Sequence, residues 1–220
     1  MKRMGVRQLI FGFFGLVFLL SIFTTSTLAQ EQDATFSAIP KATEIEMSDA
    51  MSKLSSNRVL PGYPLYFLIT IKENIQRFFQ PNSAAKAQWD MVLAGKRLRE
   101  AYQLAYKNDV KGANHTLQRY QKHIDSLREE YQKAKSANQS TDVLSDQMST
   151  QFTYQQSLLA SFIQKLPTDP KKGVEGDVFA SAKHLNNAIQ TLSNDRPSIR
   201  DFFEERMKHE LFLPPPAPES

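Results

Sequence analysis

The sequence predicts an all-α protein: an antiparallel helical bundle with coiled-coil-like long helices, preceded by a signal peptide. Three observations carry that prediction. Only 8 of the 220 residues are glycine, too little punctuation for a sheet-rich fold. Hydrophobic residues make up 41% of the chain, a globular share that a disordered chain would not reach. Apolar residues recur at spacings of three and four, residues 91–192, in one segment after another, the period of a helix with one buried face.

The N-terminus comes first. Lys2, Arg3 and Arg7 precede an uncharged apolar run from Leu9 to Phe23, and small residues follow at Thr27 and Ala29. This is the layout of a secretory signal peptide cleaved after Ala29. The alternative is an uncleaved N-terminal anchor, for which the apolar run is short of the ~20 residues of a spanning helix. With those three of the 27 Lys and Arg removed, 24 positive side chains face 23 negative ones. Both signs alternate along the chain, as on solvated helix faces, whereas a nucleic-acid-binding protein carries a concentrated basic surface. There is no cysteine, so disulfides, thiol nucleophiles, thiolate metal sites and a lipoprotein anchor are all excluded.

Residues 30–57 are polar with scattered apolar positions, and are expected to be a flexible arm. A short amphipathic helix over Ile45–Leu54 is the alternative to a loose tether. Next, Pro61 and Pro64 flank Gly62-Tyr63, a turn signal. Leu65, Leu68, Ile69, Ile71, Ile75 and Phe78-Phe79 then make a helix apolar on most sides, expected to be largely buried. Pro81-Asn82-Ser83 ends it, with Ser83 as a candidate cap for the next helix. That helix carries Met91, Ala94, Leu98, Ala101, Tyr102 and Ala105 on its core stripe, with Lys96, Arg97, Arg99 and Glu100 mostly off it.

The segment Leu60-Pro61-Gly62-Tyr63-Pro64-Leu65-Tyr66-Phe67-Leu68, followed by Lys72-Glu73-Asn74-Ile75-Gln76, Phe78-Phe79 and Ala94-Gly95-Lys96-Arg97-Leu98-Arg99-Glu100-Ala101, resembles the bacterial family called domain of unknown function 5667. The resemblance covers about residues 59–131. It implies an exported or membrane-attached helical domain and no activity. Ile69 stands where a lysine is expected, Ile71 where an aromatic is common, and Gly95 in place of a helix former. The first two departures suggest deeper burial or an extra contact.

Asn108-Asp109 gives a break and a cap. Val110, Ala113, Leu117, Tyr120, Ile124, Leu127, Tyr131 and Ala134 then repeat at 3-4-3-4-3-4-3, a coiled-coil-like seam. Leu117, Tyr120, Ile124 and Leu127 are its structural residues. An internal seam is expected, and a dimer or partner interface is the alternative. Glu129 and Lys133 are spaced for an i,i+4 pair. After a turn at Ala137–Ser140, Leu144, Met148, Phe152, Leu159, Phe162 and Leu166 mark another helix, interrupted by Gln155. Pro167 to Gly173 reads as a firm break. Val178, Ala182, Leu185, Ile189 and Leu192 form the next helix, and Ile199, Phe202, Phe203, Met207 and Leu211 a last amphipathic one. The organisation is therefore a signal peptide at 1–29, an arm at 30–57, a bundle at 58–166, C-terminal helices completing it at 167–213, and a Pro-rich tail at 214–220.

Chemistry is hard to find. His115, His123, His184 and His209 have no metal-ligand spacing and read as surface residues. Asp201, Glu204 and Glu205 alternate with Arg200, Arg206 and Lys208, a solvated face rather than an acid–base pair. No phosphate loop or nucleophile elbow is present. No catalytic residue, cofactor or metal is expected. These readings point to an exported cell-envelope protein, non-catalytic, working through protein–protein contact. Its partner would be an envelope protein or a second copy, and membrane contact would come only through residues 9–23 if the signal stays. Phe202 and Phe203 are the candidate interaction patch. The alternative function is an extracytoplasmic holdase for unfolded clients.

Overall fold

The computed structural model describes residues 39–55, 59–209 and 212–213. The expected signal peptide and the Pro-rich tail lie outside the described residues. Among those described there are seven helices and one two-residue ladder: β1 (Ile39–Pro40), α1 (Glu44–Lys53), α2 (Tyr66–Phe78), α3 (Ser83–Tyr106), α4 (Val110–Ser136), α5 (Asp142–Gln164), α6 (Thr168–Asp195), α7 (Pro197–His209) and β2 (Phe212–Leu213). β1 and β2 pair antiparallel, Ile39 with Leu213 and Pro40 with Phe212.

Four long helices, α3 to α6, make the bundle. Its corners run α3, α4, α6, α5, so α3 and α6 sit on one diagonal. Consecutive helices run antiparallel. α4 and α6, however, lie side by side in the same direction: Asn114 Nδ2 donates to the Gly173 carbonyl at 2.9 Å, and His184 meets Asp125 at 2.8 Å, the same sequence offset about three turns further along. The connection from α4 to α5 therefore crosses the bundle. The core is continuous, with Leu98 and Ala101 of α3, Leu117, Tyr120, Ile124 and Leu127 of α4, Phe152 and Phe162 of α5, and Val174, Val178 and Leu185 of α6. The seam residues of α4 thus face the interior of the single chain. Gln155, which interrupts the α5 stripe, is buried and accepts a hydrogen bond from Tyr120 Oη at 3.1 Å.

Local signals explain the helix ends. Asn82, not Ser83, caps α3 by accepting from the Ala85 amide at 2.9 Å. Asp109 caps α4 through the Gly112 amide at 2.9 Å, and Asn108 (φ 63°) and Asn138 (φ 53°) take the left-handed conformation at the ends of α3 and α4, where a short amide side chain is best tolerated.

Several expectations are corrected. Residues 39–54 are no loose arm. Thr43 and Glu46 form a reciprocal capping box for α1, and Met47, Ala50 and Leu54 are buried against the bundle. The expected break at 167–173 is the first turn of α6. Pro167 precedes the helix and Pro170 sits at its third position, where no intrahelical amide bond is lost. Lys133 pairs with Glu130 at 3.0 Å rather than with Glu129. Of the four histidines, His123 and His184 are half-buried, each bonded to a carboxylate of a neighbouring helix. The largest correction concerns α2.

Candidate functional site

α2 is mounted the opposite way round from the expected one. Its polar stripe faces the bundle and its apolar stripe faces out. Tyr66, Thr70, Glu73 and Arg77 follow a 4-3-4 spacing, which places them on one helical face, and this face lies over a groove walled by α3 and α4. The groove is polar in the same register. α3 contributes Asp90, Arg97 and Glu100; α4 contributes Arg119, His123, Ser126 and Glu130.

At the N-terminal end of α2, Tyr66 Oη donates to Glu100 Oε2 at 2.7 Å and accepts from Arg97 Nη1 at 2.6 Å. Arg97 also bridges to Glu100 at 2.7 Å and, through its other terminal nitrogen, to Glu73. The guanidinium carbons of Arg97 and Arg119 stand 5.6 and 5.5 Å from the centre of the Tyr66 ring, within cation–π range. Lys96 Nζ reaches Glu73 Oε1 at 2.6 Å. Arg119 Nη2 donates to Thr70 at 3.3 Å, and the indole of Trp89 donates to the Glu73 carbonyl at 3.3 Å. At the other end, Arg77 binds Asp90 through Nε at 2.9 and 3.0 Å and donates to Ser126 at 2.8 Å. His123 Nδ1 meets Asp90 at 3.1 Å from the far wall.

The centre of this cluster is closed to water, while Arg77, Lys96, Arg119 and His123 at its edges stay partly exposed. The Arg97 and Asp90 side chains are 0% and 1% exposed, and Glu73, Glu100 and Glu130 are buried. Burial pushes the Asp90 carboxyl up, but the hydrogen bonds and charges of His123 and Arg77 outweigh it and hold Asp90 below the usual carboxylate range. Burial also pushes the Tyr66 hydroxyl up, and the neighbouring Glu100 carboxylate adds to that. Asp90, Arg77 and Arg97 are each held in the charged form, the arrangement under which buried charges are tolerated. The groups are spent on one another, and what they achieve is to fasten α2 to the bundle. The sequence places Lys96, Arg97, Arg99 and Glu100 mostly off the core stripe of α3, yet Arg97 and Glu100 are buried in the joint with α2. The signal that could have found them is the 4-3-4 polar stripe on α2, which has partners of matching spacing on α3 and α4.

The other face of α2 is the feature this fastening exposes. Leu65, Phe67, Leu68, Ile71, Ile75, Phe78 and Phe79 all point outward, with Phe78 and Phe79 at 78% and 74% exposure and Ile71 at 49%. At 100° per residue they span an arc of more than a third of the helix circumference. Together they form a patch on the order of 800 Å², above the ~300–600 Å² of the largest patch on an ordinary monomer. Phe78 and Phe79 stack edge to face with centroids 5.4 Å apart. The expected burial of this helix, and of Ile71 in particular, is thus reversed: a polar groove selects the polar face, and the apolar one is left over.

The other candidate residues separate. Leu117, Tyr120, Ile124 and Leu127 are fully buried in the core. Of the proposed patch, Phe203 packs into the core at 4% exposure, because α7 folds back on α6, and only Phe202 lies at the surface at 47%. Among the described residues no group of three or more His, Asp and Glu side chains converges for a metal ion, and no helix is long and apolar enough to cross a membrane.

No curated protein and no solved structure matches the chain. The family model described as Domain of unknown function (DUF5667) matches residues 58–152, which span α2, both walls of its groove and the first half of α5. Residues 58–152, which carry both the outward ridge and the polar fastening beneath it, are thus similar to the DUF5667 family.

Proposed function

We propose that this protein is an exported, non-catalytic interaction module of the cell envelope, and that the outward face of α2 is its working surface. One observation carries the reading. The fold commits a network of buried ion pairs to holding α2 polar face down, so that seven apolar side chains are displayed to the surroundings. An isolated surface leucine needs no explanation, whereas a contiguous apolar patch of this size marks a docking site.

The test is crosslinking in cells of a C-terminally tagged chain, with the captured links mapped and the N-terminus read. Links concentrated on residues 65–79, lost in the variant Ile71→Gln with Ile75→Gln, are the expected result. Links centred on Phe202 or on α5 would move the working surface elsewhere. An N-terminus beginning at Gln30 supports export with cleavage, and one at Met1 supports the anchored form. The same ridge also favours a second reading, a holdase that lends apolar surface to unfolded chains. Suppression of aggregation of an unrelated client at equimolar protein, abolished by the same double substitution, would select it.

A further inference from the structure

The ridge has a shape and a charge pattern that narrow what it meets. We infer that the outward face of α2 docks on the surface of an anionic lipid bilayer, with the helix axis in the plane of the membrane. The inference rests on the reading of α2 as the working surface and adds the identity of the partner.

Shape is the first argument. α2 lies on top of its groove and stands out as a convex rib of 13 residues, about 20 Å long. A flat, deformable apolar layer receives such a rib without any preformed pocket, and an amphipathic helix lying in the interface enters it by ~5–10 Å. Its side chains suit that depth. Phe67 stands near one end and Phe78 and Phe79 at the other, with Leu68, Ile71 and Ile75 between them, and Tyr63 exposed just before the helix.

Charge is the second. Every carboxylate that faces α2 is beneath it and buried: Glu73, Asp90, Glu100 and Glu130. Arg97 is buried with them, and the remaining cations around α2 sit at the margins. Lys72 is exposed on α2 itself, and Arg77, Lys96 and Arg119 are partly exposed along its two flanks. A lipid headgroup layer approaching the ridge therefore meets positive charge and no exposed carboxylate of α2. Long Lys and Arg side chains can keep their heads at the phosphate level while their stems lie against apolar surface, and each cation near an anionic membrane adds attraction that falls off within a Debye length. The third argument is the fastening. Because α2 is held to the bundle by ion pairs rather than apolar contacts, the whole apolar arc remains available, and entry into lipid would uncover no core residue.

The experiment uses the full chain with p-benzoylphenylalanine in place of Phe78, and the same chain with it in place of Val143, an exposed position on α5. Both are photolysed in cells and in phosphatidylcholine vesicles with and without phosphatidylglycerol. Because residues 9–23 are identical in the two chains, any attachment through them is common to both. The expected result is lipid adduct from position 78 about ten-fold above position 143, diminished by omitting phosphatidylglycerol or raising salt, and diminished again by Ile71→Gln with Ile75→Gln. Equal yield without phosphatidylglycerol, or protein as the main adduct at position 78, would overturn the lipid inference. A protein adduct leaves α2 standing as the working surface, whereas equal yields of every kind at 78 and 143 remove both readings.

Discussion

Tyr66 Oη and Glu100 Oε2 lie 2.7 Å apart in the buried joint between α2 and α3, although the residues on either side of Tyr66, Leu65 and Phe67, are exposed to solvent. One residue step along this helix changes an interior ion-pair network into an open apolar surface. That reversal is the basis of the predictions below.

Replacing the buried guanidinium by Arg97→Met removes the cation that Glu73 and Glu100 share, while Lys96 stays on Glu73 and the Tyr66 hydroxyl on Glu100. Removing one partner of a buried pair costs about 3–5 kcal/mol, far more than the net contribution of the intact pair. Urea unfolding should show a loss of that size. Trp89 is the only tryptophan and bonds the Glu73 carbonyl, so its emission should shift before the far-ultraviolet circular dichroism falls, as α2 lifts first. Arg97→Lys should rescue only part, since one ammonium cannot reproduce the fork that spans Tyr66, Glu73 and Glu100.

Substitutions on the two apolar stripes should behave oppositely. Ile71→Gln with Ile75→Gln should leave stability within ~0.5 kcal/mol per site, because both side chains are already half in water. Leu117→Ala, at an apolar position of equal prominence in the sequence, should cost about 2–5 kcal/mol through lost burial and the cavity left behind. Thermal unfolding of the two variants decides the matter. A large loss from the α2 pair would mean that its outward face is covered within the chain.

Acid should loosen the C-terminal end of α2. Asp90 is charged and paired with Arg77 of α2 and His123 of α4, with Glu130 alongside, and its carboxyl is held below the ordinary range. A lowered folded-state value means that this contribution is fully present above about pH 4 and is lost as pH falls through the lowered value. Trp89 emission followed from pH 6 downward should show a transition in that window. Asp90→Asn should flatten it, at a cost of about 2 kcal/mol at neutral pH for the weakened charge-assisted bonds.

Gly95 is the one helix-breaking choice within α3 that the packing explains. A Cβ there would lie 2.9 Å from Leu54 Cδ2, at the point where Leu54 closes α1 onto the bundle and its carbonyl accepts from Arg99 at 2.8 Å. Gly95→Ala should be close to neutral. A flexible Leu54 tip can move, and alanine recovers ~1 kcal/mol of helix propensity. Gly95→Leu should cost about 1–3 kcal/mol by overpacking and should expose the chain around Lys53 to limited proteolysis.

Much of the architecture was legible beforehand. The 3-4 repeat over Val110–Ala134 located α4 and its buried face, and the breaks at Asn108-Asp109 and Ala137–Ser140 fall at its ends. Those features depend on contacts within a helical turn or on the plain removal of apolar groups from water, both of which are local in sequence. The fastening was not legible. Arg97 and Glu100 have the look of surface charges until Tyr66 and Glu73, some 24 to 34 residues away, close over them. α1 was likewise undervalued, because Met47, Ala50 and Leu54 are too few to announce a docked helix without the α5 surface that receives them.

By itself, then, the sequence determined that an apolar-rich helix lies between the breaks at Pro61–Pro64 and Pro81–Ser83, since residue type and turn chemistry are enough for that. Which face turns inward was decided only by the tertiary structure. The receiving groove between α3 and α4 carries Asp90, Arg97, Glu100, Arg119, His123 and Glu130, and an apolar face laid there would have denied them the hydrogen bonds and charges of Tyr66, Glu73 and Arg77. A buried charge that loses a hydrogen-bonding or ionic partner costs more than an apolar side chain left in water. Tyr66, Glu73 and Arg77 therefore go in, and the aromatic and aliphatic ridge stays out.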